Sequence, residues 1–227
     1  MSELAEGSVD DVPEWLRQLA GSTDDPRAHR LSRFLVPEDD ARQSAVLMAF
    51  AEGPTGPAVL VIQRAATMRS HAGQVAFPGG SVDDTDPTTV AAALREAEEE
   101  VGLDPSSVQV IGEFPPLYIP ISGFAVTPVL AWWRDPHPVA PGDPAEVARV
   151  ELVPIAELTD PANRFSVPHP SGFVGPGFAT SGGLFIWGFT AILLAGLLEL
   201  GGWARPWDPA VTRPLPDEFG GRAAASS

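Results

Sequence analysis

The segment Gly79 to Leu103, reading GGSVDDTDPTTVAAALREAEEEVGL, constrains the fold of this chain more than any other. A glycine pair after Pro78 reads as a tight turn, and Pro87 suits the first turn of a following helix. The helix is expected from about Thr88 to Val101, with Gly102 as a left-handed cap and Pro105 beyond it. At about 100° per residue, Val90, Leu94, Ala97 and Val101 fall on one stripe, and Glu96, Glu99 and Glu100 on the other side. The aliphatic stripe requires a sheet or another helix to cover it, and the carboxylates are expected to point outward.

Residues three and four apart on a helix are surface neighbours, so the three glutamates repel one another unless something positive lies among them. Oxygen-only clusters of this kind suit hard divalent ions such as magnesium or manganese. The turn at Pro78-Gly79-Gly80 lets the backbone come close to a ligand and could lend the Gly80 carbonyl to a metal. The competing reading is a solvated acidic face, and on spacing alone the two stand level.

Composition narrows the class of function. The 227 residues hold one sizeable core or at most two small ones, and 44% hydrophobic with 19% charged content reads as globular. The chain has no cysteine, which excludes disulfides, zinc thiolates and cysteine nucleophiles. A net charge of -16 argues against nucleic-acid and membrane-surface binding, both of which want basic surface. The first residues are acidic and polar and lack a signal-peptide pattern, so the expected compartment is the cytoplasm. An apolar run from Leu184 to Leu198 is too short for a membrane span, which needs roughly twenty residues, and reads as a core helix continuing to Leu200.

Along the chain, residues 1–43 form an expected helical extension. A short helix there covers Val12 to Ala20, with Trp15, Leu16 and Leu19, and a further helix is expected around His29 to Leu35. Ser44 to Phe50 and Ala58 to Gln63 read as hairpin strands joined by EGPTGP. Further strands are expected at Gln74 to Phe77, Val108 to Phe114, Ala125 to Trp133 and Ala148 to Val153, with a short helix at Ile155 to Leu158. Residues 44–203 would then form one α/β (α+β) domain with helices packed on a sheet. Residues 204–227 are rich in Pro, Gly and Ala and are expected to be disordered.

The stretch Arg95-Glu96-Ala97-Glu98-Glu99-Glu100-Val101-Gly102-Leu103 resembles the second half of the signature G-x5-E-x7-R-E-U-x-E-E-x-G-U of the Nudix hydrolases. The first half departs from it: Asp86 replaces the isolated glutamate, with one extra residue before Arg95, and no role carries over to Asp86. Upstream, VLVIQRAATMRSHAGQVAFPGG from Val59 to Gly80 is similar to LLTxRSxxLRxHxGQxxFPGG, which marks the coenzyme A pyrophosphatase branch of that family. Arg64, Arg69, His71, Gly73, Gln74, Phe77, Pro78, Gly79 and Gly80 match; Ala65 and Ile62 depart from it. Pro120 to Pro128, Val167 to Ser171 and Ile186-Trp187-Gly188 also look like that branch.

The resemblance implies a Nudix α/β/α sandwich, a mixed sheet flanked by helices. It implies metal-dependent hydrolysis of the diphosphate of coenzyme A or a derivative to 3′,5′-ADP and 4′-phosphopantetheine or its acyl form. It further implies Mg²⁺ or Mn²⁺ held by Glu96, Glu99, Glu100 and the Gly80 carbonyl, with Arg95 orienting the acidic cluster. Glu146 resembles the late catalytic glutamate, with Glu96 an alternative base. Arg64, Arg69, His71 and Gln74 stand where the substrate would bind. A homodimer is common in the wider family. Two other readings stay open: a Nudix hydrolase of ADP-ribose, NADH or a nucleotide, and a non-catalytic ligand-binding module on the same fold.

Overall fold

A computed structural model describes residues 11–28, 36–37, 41–120 and 122–219. Helix α1 spans Glu14–Ala20. The strands β1 (Arg42–Gly53), β2 (Gly56–Arg64), β3 (Val75–Ala76) and β4 (Gly79–Ser81) follow, and then helix α2 (Thr89–Val101). Next come β5 (Val108–Glu113), β6 (Leu117–Ile119), β7 (Phe124–Trp133), β8 (Val147–Pro154) and α3 (Ile155–Leu158). The chain continues through β9 (Arg164–Pro168), β10 (Val174–Ala179), β11 (Phe185–Ile186) and α4 (Gly188–Leu200).

The main sheet runs β3-β2-β1-β7-β5, with β4 on β1, β6 on β7 and β8 on β2. It is mixed, because β1 and β7 pair in parallel while the other pairs are antiparallel. Successive strand side chains point to opposite faces, and the core divides accordingly. Ala45, Leu47, Ala49 and Ala51 of β1, with Leu60 and Ile62 of β2, pack with Ala93, Leu94, Ala97 and Val101 of α2. Met48, Phe50, Val59 and Val61 face the other way, toward Leu16 and Leu19 of α1 and Leu193, Leu194 and Leu197 of α4. The result is helix, sheet, helix.

Propensity alone would leave a helix of α2's length marginal in water. Burying each large aliphatic side chain contributes about 1.5–3 kcal/mol, so the sheet is what holds α2 in place. Its ends are set locally. Thr88 caps the N-terminus by accepting from the Ala91 amide at 3.1 Å, and Gly102 ends it at φ 70°. Pro87 lies just ahead of the cap, one step earlier than its expected place in the first turn.

The structure corrects several other expectations. Gly79 and Gly80 form β4, paired with β1, because their missing side chains let the backbone approach close enough to add a strand to the sheet. Leu184 to Trp187 precede α4, and Phe185–Ile186 joins β9 and β10 in a second, three-stranded sheet. The strands β6, β9 and β10 escaped the sequence reading. They are short, and β10 carries two glycines and a proline, which weaken any strand signal.

Residues 204–219, expected to be disordered, lie against this second sheet. Thr212 bridges to Ser166, and Leu215 is buried with Phe165 and Val167. The helix expected around His29 to Leu35 lies outside the described residues. Among the described residues, no helix is long and apolar enough to cross a membrane.

Candidate active site

The site begins where β4 runs beside the C-terminal half of α2. Gly79 pairs with Val46 and Gly80 with Ala45. A Cβ on Gly79 would lie 2.3 Å from the Ala45 carbonyl oxygen, and one on Gly80 would lie 2.5 Å from the Glu96 carboxylate. Two glycines are needed here for different reasons: the first lets the backbones meet, and the second leaves room for an acidic side chain.

That close approach brings the Gly79 amide to Glu100, whose Oε2 accepts from it at 3.0 Å. Glu100 is only 8% exposed, against the expectation that all three carboxylates face outward. It sits on the flank of α2 that meets β4, so its carboxylate is covered by the strand. Burial pushes its pKa up to about 7; the Gly79 amide and Arg64 oppose the rise, while Glu96 and Glu146 add to it. The Glu96 pKa is also raised, chiefly by burial, with Arg95 opposing. The Gly80 carbonyl accepts from Ser44 Oγ at 2.6 Å.

Arg95 organises the outer side. Its Nε and Nη2 fork onto the two oxygens of Asp86 at 3.1 and 2.9 Å. Its Nη1 reaches Glu96 at 3.0 Å and Glu99 at 3.2 Å, and Nη2 also donates to the Ser81 carbonyl. Such a planar fork gives direction as well as attraction. Hydrogen bonding from Arg95 holds the Asp86 pKa below the usual carboxylate value. Asp86 is thus a site residue that the sequence reading left without a role. The signal was an acidic residue ahead of the helix, masked by the one-residue shift from the family spacing.

The side chains named from sequence do not all converge. Glu96 and Glu100 share the inner side, whereas Glu99 is 61% exposed and held by Arg95. Among the described residues, no three acidic or histidine side chains are grouped closely enough to hold a metal ion. Arg64, at the end of β2, brings Nη1 to 3.9 Å from Glu100, while its Nε is buried without a hydrogen-bond partner.

The loop after Arg64 is tied at its stem. The Arg64 amide donates to the Gln74 carbonyl, and Gln63 Nε2 donates to the Gly73 carbonyl. Within it, His71 adopts φ 55°, uncommon for a residue with a Cβ, and its Nδ1 lies 3.1 Å from Gln74 Oε1. Arg69 is exposed on the same loop. Glu146 is exposed ahead of β8, and its carbonyl accepts from the Ala65 amide at 2.8 Å. It therefore stands at the base of the Arg64 loop, and its charge adds to the rise in the Glu100 pKa.

Comparison with known proteins bears on the family and the fold. The NUDIX domain family model matches residues 41–171. The chain is 43% identical over 167 residues to the uncharacterized Nudix hydrolase NudL of Cronobacter sakazakii, covering 70% of this chain and 83% of the relative. It is also 43% identical over 173 residues to the NudL of Klebsiella pneumoniae, covering 73% and 85%. Among solved structures, a Nudix hydrolase from M. smegmatis, RenU, superposes with a TM-score of 0.52 at 22% identity, covering 74% of this chain and 89% of that one. That structure speaks to the fold alone. The domain match and the extent of the NudL identity decide the matter: this chain belongs to the Nudix hydrolase family.

Proposed function

We propose that the protein hydrolyses the diphosphate linkage of coenzyme A or a derivative, releasing 3′,5′-ADP and 4′-phosphopantetheine or its acylated form. The observation that carries the reading is the position of Arg64. The first arginine of the Val59–Gly80 motif stands beside the buried Glu100 with a guanidinium nitrogen left unpaired. A partly exposed guanidinium beside a buried carboxylate suits an anionic phosphate in an otherwise acidic chain. Arg69 and His71, on the same loop, add cationic and hydrogen-bonding capacity toward a substrate carrying a further phosphate.

The inner carboxylates fit a divalent ion. Glu96 and Glu100 are oxygen donors whose charged forms their surroundings disfavour, and a hard cation would relieve that cost. Glu96, Glu100 and the Gly80 carbonyl would hold Mg²⁺ or Mn²⁺, with Glu99 the outer carboxylate that steadies Arg95. When bound, the ion would offset charge on the diphosphate oxygens and acidify an attacking water. The chain's own part is positional. Arg95 fixes the Glu96 carboxylate, Arg64 orients a phosphate, and the Glu146 carboxylate accepts the proton of the attacking water. The new bond joins that water's oxygen to phosphorus, and the bond to the bridging oxygen breaks, leaving that oxygen on the departing phosphate.

Purified protein incubated with coenzyme A and Mg²⁺ or Mn²⁺ tests the reading. Equal yields of 3′,5′-ADP and 4′-phosphopantetheine are expected. Absence of 3′,5′-ADP alongside brisk turnover of ADP-ribose would overturn the coenzyme A assignment while leaving the family intact.

A further inference from the structure

The second sheet and the segment that follows α4 take no part in the chemistry above, yet they reach the substrate loop. Residues 207–219 are fastened along β9. The Ser166 amide donates to the Val211 carbonyl at 2.8 Å, the Arg213 amide donates to the Ser166 carbonyl at 3.0 Å, and Ser166 Oγ donates to the Pro209 carbonyl at 2.8 Å. The Arg164 guanidinium, nearly buried, lies over the Trp207 ring, and Arg213 lies over Phe165. Beyond the buried Leu215, the segment ends in a short turn that delivers Phe219.

Phe219 has two neighbours of consequence. Its ring centroid lies 5.8 Å from that of Trp187, whose other neighbour is His169, stacked at 6.1 Å and 19°. Its edge also packs on Gly73, where an added Cβ would sit 3.2 Å from the ring. Gly73 has φ 70° and belongs to the loop that carries Arg69, His71 and Gln74. On the other side of that loop's base, Thr190 Oγ1 of α4 donates to the Val75 carbonyl at 2.9 Å.

Resting on the reading of that loop as the substrate's phosphate-side contact, we propose that Phe219 is a positioning residue. The C-terminal segment is a clamp that holds the Arg64–Gln74 loop in its binding conformation. The loop needs such a support. Arg64, Gln63 and Gln74 tie its stem, the Met68 amide donates to the Ala65 carbonyl and the Gln74 amide to the His71 carbonyl, and His71 is held in an unfavoured backbone region near its tip. The edge of the Phe219 ring against this glycine adds a contact where no side chain of the loop supplies one. The aromatic stack behind Phe219 fixes that ring to β9 and the start of α4, so the loop is referenced to the body of the fold.

The test uses the full chain with Phe219→Ala, Leu215→Ala and Phe219→Tyr, each read in two independent ways. Hydrogen exchange needs no substrate. Phe219→Ala and Leu215→Ala are expected to speed exchange of the Gln74 amide and of peptides spanning 65–75, and Phe219→Tyr to restore protection. Kinetics with coenzyme A should show KM raised roughly three- to tenfold by Phe219→Ala, the loss of one aromatic contact, with kcat unchanged. Faster exchange confined to residues 204–218 would overturn the clamp, and so would a fall in kcat at constant KM. Failure of coenzyme A turnover in the unaltered protein would instead count against the substrate reading, and the exchange result would still decide the clamp.

Discussion

Glu99 and Glu100 are adjacent in sequence and live in opposite surroundings. Glu99 stands in water and is held, with Asp86 and Glu96, by Arg95. Glu100 is covered by β4, bonded to one backbone amide, and has its nearest cation 3.9 Å away. The outer face of α2 is therefore a compensated ion network in which charge is already satisfied. The inner face carries carboxylates whose ionisation the fold resists. Glu100, which no arginine hydrogen-bonds, is where a cation has most to offer, with Glu96 beside it bonded to Arg95 yet still raised by burial, and this contrast separates supporting residues from those proposed to hold the metal.

The sharpest way to break the contrast is Glu100→Gln, which keeps the shape and an acceptor for the Gly79 amide. Turnover should fall on the order of a thousandfold, the scale of several kcal/mol of metal-assisted stabilisation. The pH dependence of stability gives an independent reading. The folded pKa of about 7 lies above the ordinary value of 4.5, so the native state holds the proton more tightly than the unfolded one. Metal-free protein should then lose stability as pH rises from about 4.5 through 7. Thermal melts in chelator at pH 5 and pH 8 should show that loss shrinking in Glu100→Gln; an unchanged difference would place the titration elsewhere.

The two glycines allow a finer cut. Gly80→Ala should displace the Glu96 carboxylate, which can swing aside, and reduce turnover about ten- to a hundredfold with little change in melting temperature. Gly79→Ala meets backbone that cannot swing aside, so it should destabilise the fold by about 1–3 kcal/mol or more. Equal losses of stability in both variants would contradict the assignment of separate reasons to the two positions. Glu99→Gln should have the smallest effect. It removes one exposed partner of Arg95, worth about 0.2–1 kcal/mol, and turnover should drop no more than about fivefold.

The elements that the sequence made legible are those with a strong period or firm punctuation. The α2 stripe and its Gly102 stop, the β1–β2 hairpin, the long apolar run of β7 and the mixed polar and apolar β8 appear where they were expected. Legibility failed where tertiary contact outweighed local pattern. Gly79-Gly80 has the composition of a turn, yet it becomes a strand because β1 offers an open edge. Phe185 and Ile186 look like the start of α4 until a second sheet claims them. The Pro-rich segment after Trp203 has no period, but Leu215 and Phe219 give it apolar anchors that only the folded sheet can use.

Within the site, the residue types and their helical spacing were readable, but burial was not. Periodicity put Glu100 with its acidic neighbours, because a helical wheel does not know that β4 will cover one flank. Asp86 was missed for the reverse reason, since its partnership with Arg95 depends on a loop whose length departs from the family spacing.

The proposed division of α2 into an inner metal face and an outer supporting face is tested most directly by calorimetric titration of Mn²⁺ into Glu100→Gln and Glu99→Gln at pH 8. The inner-face assignment predicts affinity at least about tenfold weaker in Glu100→Gln and within about fivefold of the unaltered protein in Glu99→Gln. Full affinity in Glu100→Gln together with its loss in Glu99→Gln would contradict it.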